Sequence, residues 1–166
     1  SEYRKYTQYN IHMQIRSAQL SDAKFIAQLS AETIQNINKS DYSPEQCLVW
    51  SERMTEERFR DNHTKRIRLV AVVHDTIIGF GDIERDAPHK LDCLYVHKNH
   101  IGTGVGSEIL ASLESAARTH GATQLRATVS ITAKPFFEQN GFQTIQRETR
   151  MLEDIPFDVY AMEKNL

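Results

Sequence analysis

Leu91-Asp92-Cys93-Leu94-Tyr95-Val96-His97-Lys98-Asn99-His100-Ile101-Gly102-Thr103-Gly104-Val105-Gly106-Ser107 is the stretch on which the fold turns. Its first six residues are rich in apolar and aromatic side chains and predict a strand over Leu91–Val96. A helix is predicted from about Val105 to His120, with Ile109, Leu110, Leu113, Ala116 and Ala117 on one face and Gly121 as its stop. Between them lies Gly102-Thr103-Gly104-Val105-Gly106. Alternate glycines let a backbone approach a ligand closely and turn its N–H groups inward. The helix start adds unpaired N–H donors and about half a positive charge. Together these suit a phosphate or pyrophosphate.

Two familiar phosphate-binding turns do not fit. A P-loop ends in Gly-Lys-Ser/Thr, whereas this turn ends in Gly106-Ser107-Glu108. A dinucleotide turn is spaced G-x-G-x-x-G and has an acidic residue about 20 positions on. Here the spacing is G-x-G-x-G, and the next strand, Leu125–Val129, ends without a carboxylate. Coenzyme A, held through its pyrophosphate, is the remaining ligand class; the glycines by themselves equally suit a plain strand-to-helix turn with no ligand.

Outward from the turn, alternation and punctuation predict the order β-α-α-(α)-β-β-β-α-β-α-β-β. Met13–Arg16 reads as an edge strand. Ser21 is the expected cap of a first helix whose apolar stripe runs Ile26, Leu29, Thr33 and Ile37, widened by Phe25 and Ile34. Ser43-Pro44 with Gln46 predicts a capping box for the second, which carries Leu48, Val49 and Trp50. Thr55–Asn62 is a further short helix. Ile67–Val73, Ile77–Glu84, Phe142–Arg150 and Val159–Glu163 complete the strands, with turns at His74-Asp75-Thr76 and Asp86-Ala87-Pro88 and a short helix over Ala133–Gln139. Hairpins first and a strand–helix–strand crossover later predict an α/β (α+β) single-domain fold: a mixed, mostly antiparallel central β-sheet flanked by helices.

Composition narrows the functional classes. The chain has 166 residues, 40% apolar and 25% charged, with a formal net charge of -2. That length suits one domain with one sizeable core. The charge gives no reason to expect binding to nucleic acid or to a membrane surface. Cys47 and Cys93 form no CxxC pair and predict buried, reduced thiols, hence a cytoplasmic setting. His97 and His100 have no third partner, and no metal site is expected.

Three stretches resemble the GNAT superfamily of acetyltransferases, of the small bacterial N-acetyltransferase type. LDCLYVHKNHIGTGVGSEILASLE from Leu91 is similar to its central strand, pyrophosphate loop and helix. ATVSITAKPFFEQNGF, Ala127–Phe142, resembles the strand and short helix beside the pantetheine arm, and IRSAQLSDAKFIAQL, Ile15–Leu29, the opening strand and helix. The resemblance covers residues 13–166, read as an N-acetyltransferase domain behind a flexible tail of residues 1–12. It implies a sheet splayed between the strand before the turn at Asp86 and the strand after it, with the acetyl thioester in that gap. It also implies acetyl-CoA as co-substrate and an amine acceptor, small molecule or protein; with no His–acid pair to activate Cys93, direct transfer in a ternary complex is expected. The alternative is a non-catalytic acyl-CoA sensor. Exposed strand edges would allow a homodimer.

The same resemblance assigns residues. Leu94, Tyr95 and Val96 would hold the acyl group and pantetheine through their backbone. Ile101, Gly102, Thr103, Gly104, Val105, Gly106 and Ser107 would cradle the pyrophosphate, and Thr132 and Phe137 would flank the arm. Ile101 stands where the family has Gln or Arg, Thr132 where it often has Asn, and Phe137 where many members have a proton-donating Tyr. Glu84 is the first candidate base, with Asp82 and Asp92 behind it. Tyr160 and Tyr95 are the nearest phenols for the leaving group. Tyr42 and Trp50 would line the acceptor pocket. Cys93, predicted to alternate with Leu91 and Tyr95, lacks a His–acid pair to activate it as a nucleophile.

Overall fold

The computed structural model describes residues 12–166, so the tail expected over residues 1–12 lies, His12 apart, outside the described residues. Seven strands form one sheet in the order β1-β2-β3-β4-β5-β7-β6. They are β1 (Gln14–Ser17), β2 (Arg66–Val73), β3 (Thr76–Glu84), β4 (Lys90–Val96), β5 (Gln124–Ser130), β6 (Gln143–Leu152) and β7 (Ile155–Asn165). Among the described residues five α-helices accompany them: α1 (Ala23–Asn36), α2 (Pro44–Glu52), α3 (Glu56–Asp61), α4 (Val105–Thr119) and α5 (Lys134–Gln139). All neighbours pair antiparallel except β4 and β5, which are parallel. No helix among the described residues is long and apolar enough to cross a membrane.

The sheet separates two apolar cores. On one face α4 and α5 pack Ile109, Leu110, Leu113 and Phe137 against Ala71, Ile83 and Leu125. On the other, α1 to α3 pack Ile26, Ile34 and Phe59 against Val70, Phe80 and Cys93. Gly79 and Gly81 let α4 approach: a Cβ on either would come within 2.8 Å of the Ile109 or Leu113 side chain. The capping box of α2 forms as the sequence predicts, Ser43 and Gln46 each accepting from the other's backbone N–H.

Several local expectations are corrected. Asp22, not Ser21, secures the entry to α1: its carboxylate accepts from Gln19 N–H at 2.7 Å and from Arg16. Ile34 is buried, but Phe25 is 50% exposed, outside the stripe it was expected to widen. β6 and β7 run to a two-residue turn at Glu153-Asp154, where both φ angles are positive. No Gly or Asn marks that turn, so the sequence pattern ends both strands too early.

The larger correction concerns the gap in the sheet. β3 and β4 stay paired from Gly79↔Val96 to Ile83↔Leu91. The strands that part are β4 and β5, which pair only at Lys90↔Arg126 and Leu91↔Ala127. Physically, the turn at Asp86 makes β3 and β4 a hairpin, and hairpin strands keep their ladder. The crossover through α4 leaves β5 free to diverge. Tyr42 braces the far side: its hydroxyl donates to Asp158 O at 2.7 Å and accepts from Ile131 N–H at 3.0 Å.

β4 also carries a bulge. Asp82 and Ile83 are adjacent on β3, yet face Cys93 and Leu91, so Asp92 is an extra residue. The extra residue breaks the predicted alternation of Leu91, Cys93 and Tyr95. Leu91 joins the α4 core, whereas Cys93 and Tyr95 lie with the α1–α3 core.

Candidate active site

A cleft of about 350 Å³ runs through the fork between β4 and β5. Backbone direction on β4 follows from its partners. Cys93 N–H donates to Asp82 Oδ1 and His97 N–H to Ile78 O, both on β3. Residues alternate in an extended strand, so Leu94 and Val96 aim their N–H groups the other way, into the gap. The carbonyl of Val96 also accepts from Thr33 Oγ1 at 2.8 Å, tying α1 to this strand.

At the loop end, Gly102 and Gly104 have φ of 74° and 91°. A Cβ at either would meet nothing within 4 Å, so it is the left-handed backbone that calls for glycine there. Thr103 Oγ1 donates to His100 O and stiffens the turn. Gly104 caps α4, and Glu108 N–H donates to Gly104 O at 3.1 Å. The N–H groups ahead of Glu108 are the unpaired donors of a helix start. Gly106 does a different job from its neighbours: a Cβ there would come within 3.0 Å of the Phe136 ring.

One buried hydroxyl in the cleft has no partner within the protein. Thr132 Oγ1 is the single buried side-chain N or O atom among the described residues without a hydrogen-bond partner. It lines the cleft beside Phe137. Such an atom ordinarily finds a partner, in protein, water or ligand. Left-handed glycines, a helix start, gap-facing N–H groups and this hydroxyl together fit a phosphorylated, amide-bearing arm.

Most of the sequence-predicted cofactor residues meet here. Leu94, Tyr95, Val96, Ile101, Gly102, Gly104, Gly106, Ser107, Thr132 and Phe137 line the cleft. Thr103 and Val105 do not; Val105, the first residue of α4, is buried in the core. Trp50 lines the opposite end, but Tyr42 does not, its hydroxyl being committed to the brace between β5 and β7. Glu84 lies off the cleft at the closed end of the fork, 3.8 Å from Lys90 Nζ. Tyr160 is also off the cleft, its ring under the Lys134 ammonium. Phe137 is packed edge-on between Phe136 and Phe142.

Asp92 sits at the fork itself. It follows Leu91, the last β4 residue paired with β5, and it lines the cleft. Its Oδ2 accepts from Arg66 Nε at 3.1 Å. Behind it, burial pushes the Asp82 carboxyl up to about 6, against the attraction of Arg68. Burial also pushes the Cys93 thiol well above its ordinary range, with Asp82 and Asp92 adding to the effect. Tyr95 is likewise raised by burial, so its phenol holds its proton. Asp82, Asp92 and Cys93 place ligand-type atoms within 4.8 Å of one another, but Arg68 and Arg66 already pair with the two carboxylates. Sequence reasoning missed Thr33 and Asn38, which line the cleft from α1 and the turn after it. A polar residue in the stripe Ile26–Leu29–Thr33–Ile37 was the available signal.

A sheet forked between a parallel strand pair, with a left-handed glycine turn and a helix start at its mouth, offers a groove for a phosphorylated ligand. Comparison with known proteins gives the family: the acetyltransferase (GNAT) domain matches residues 38–164, and the chain belongs to the GNAT family. It is similar to the uncharacterized N-acetyltransferase YafP of Escherichia coli K12, with 31% identity over 82% of this chain and 85% of YafP. Among solved structures it resembles a GCN5-related N-acetyltransferase from Rhodopseudomonas palustris, at 28% identity and a TM-score of 0.87. That match covers 92% of this chain and 95% of the other. The PaiA N-acetyltransferase of Thermoplasma acidophilum, solved with coenzyme A, shares the fold at 21% identity and a TM-score of 0.78, over 93% and 99% of the chains. The protein is an acetyl-CoA-dependent acyltransferase.

Proposed function

We propose that the chain transfers an acetyl group directly from acetyl-CoA to an amine acceptor in a ternary complex, with Asp92 receiving the amine proton. The observation that carries this is the position of Asp92 at the fork, in a cleft that joins the loop end to Trp50. Acetyl-CoA supplies an activated thioester. The backbone N–H groups of Leu94 and Val96 donate to the acyl carbonyl and the arm amides, which favours the charge that develops on oxygen. The Gly102–Ser107 backbone and the start of α4 hold the pyrophosphate. As the C–N bond forms and the C–S bond breaks, the amine proton passes to Asp92, directly or through water.

Neither Phe137 nor Tyr95 suits proton delivery to sulfur. Phe137 carries no proton, and the raised Tyr95 phenol gives its proton up reluctantly. A thiol has a pKa of about 8.5, so the thiolate leaves without much help near neutral pH and takes a proton from water. Burial of Cys93 opposes an acetyl-enzyme route, because the thiolate is the nucleophilic form. The purified chain, given acetyl-CoA and a panel of amines, is expected to release thiol with intersecting initial-velocity lines. Cys93→Ala is expected to stay active. Parallel lines, or an acetyl adduct on Cys93, would overturn direct transfer. Tight acetyl-CoA binding without turnover on any amine would make the chain a sensor.

A further inference from the structure

We infer that Asp82 is a positioning residue for acetyl transfer: its buried carboxylate, clamped by Arg68, fixes the β4 bulge that sets Asp92 at the fork. The inference rests on the proposed role of the fork as the transfer site. Asp82 is 0% exposed and Arg68 4%. Arg68 Nε donates to Asp82 Oδ2 at 2.7 Å, and its other nitrogens donate to Phe59 O at 3.0 Å and Asn62 Oδ1 at 2.6 Å. The remaining Asp82 oxygen accepts from Cys93 N–H at 3.0 Å.

The bulge explains why that last bond matters. An extra residue interrupts the ladder and leaves a local donor in need of a partner. Cys93 directly follows the extra residue Asp92, and a side-chain oxygen supplies its acceptor. The bond therefore holds the bulge at one end, while Arg66 holds the Asp92 side chain. Arg66 and Arg68 lie two apart on β2, so the same strand anchors both carboxylates.

Stability alone does not account for this arrangement. Removing two charges from water is costly, and well-packed apolar replacements of a buried ion pair are often neutral or stabilising. The carboxyl of Asp82 shows the cost, since burial outweighs Arg68 in setting its affinity for protons. A carboxylate here supplies what an apolar side chain cannot, a fixed acceptor for Cys93 N–H.

The test compares two double variants at pH 8, each purified and checked for folding by its thermal midpoint. R68L/D82L removes both charges and the acceptor; R68Q/D82N removes the charges but keeps an oxygen for Cys93 N–H. Acetyl-CoA affinity is read by calorimetry, and kcat and KM with an amine the wild type acetylates. R68L/D82L is expected to bind acetyl-CoA like the wild type and to lose about 100-fold in kcat, the scale of an ångström-level misplacement. R68Q/D82N is expected to recover most of that loss. If R68L/D82L does not fold, R68M/D82A, which also lacks the acceptor, takes its place. Wild-type kcat in the variant without the acceptor, or equal losses in both, overturns the inference alone. A wild type that acetylates no amine overturns the proposed function with it.

Discussion

Gly106 lies beneath the ring of Phe136: a Cβ on the glycine would reach Phe136 Cε2 at 3.0 Å and Cζ at 3.2 Å. The contact joins the first turn of α4 to α5, two elements that border the cleft. Gly106→Ala therefore sets two effects against each other. Alanine favours a helix by about 1 kcal/mol over glycine, but its methyl group pushes either the ring or the helix start. The expected outcome is a thermal midpoint that does not rise as propensity alone requires, with acetyl-CoA affinity weakened about tenfold, or about 1.4 kcal/mol. Calorimetry and a thermal melt measure both, and unchanged affinity would show that the helix start tolerates the push.

Asp92 and Glu84 give opposite expectations. Asp92 is at the fork, whereas Glu84 lies off the cleft beside Lys90. Asp92→Asn is expected to lower kcat by about 100-fold or more, the usual scale for a lost general base, with acetyl-CoA affinity unchanged. Glu84→Gln is expected to leave kcat within about twofold, as for a group outside the reacting geometry. Steady-state rates with one amine decide the pair; the reverse pattern would restore Glu84 as the base.

The positions of these two carboxylates show what a sequence can and cannot carry. The glycine turn was legible because left-handed backbone and a helix start leave marks in residue type, Gly102 and Gly104 above all. The order of elements was legible because alternation and helical spacing are local. The bulge was not: it exists only in the register of β3 against β4, and one extra residue reverses the faces that strand parity assigns. On sequence alone Asp92 therefore ranks behind Glu84 as a candidate base. Tyr42 misled for a related reason. Its place before the second helix is visible, but its partners, Asp158 and Ile131, lie more than 85 positions away.

Asp82 makes a prediction about pH. Its carboxyl has an ordinary value of 3.8 and is raised by burial to about 6 in the folded protein. Between those values the folded chain holds a proton that the unfolded chain has lost. Stability from this group is therefore full below 3.8 and is lost as pH rises to about 6. The Asp22 carboxyl behaves oppositely: burial raises it, but hydrogen bonds from Arg16 and Gln19 N–H outweigh this and lower it. Its contribution is lost as pH falls. Urea melts of the wild type and R68Q/D82N cancel the shared groups. The stability of the wild type relative to the variant is expected to decline from pH 4 to 6 and then level off. A flat difference over that window would mean that Asp82 is ionised throughout.

Thr132 separates binding from folding most sharply. Its hydroxyl oxygen is buried and has no hydrogen-bond partner within the protein. Leaving a polar group in that state costs about 1–3 kcal/mol, and valine has nearly the same shape without the hydroxyl. Thr132→Val is therefore expected to leave the ligand-free protein as stable as the wild type or more so. With the cofactor present the balance is expected to reverse, the hydroxyl donating to or accepting from the bound cofactor. Loss of that bond is expected to weaken acetyl-CoA binding about tenfold, within the ordinary worth of a neutral hydrogen bond. The stabilisation that saturating acetyl-CoA gives to the melt should shrink in step, since it follows directly from affinity. A variant that is less stable alone yet binds acetyl-CoA normally would place the hydroxyl in the core, with a partner in the protein or in buried water.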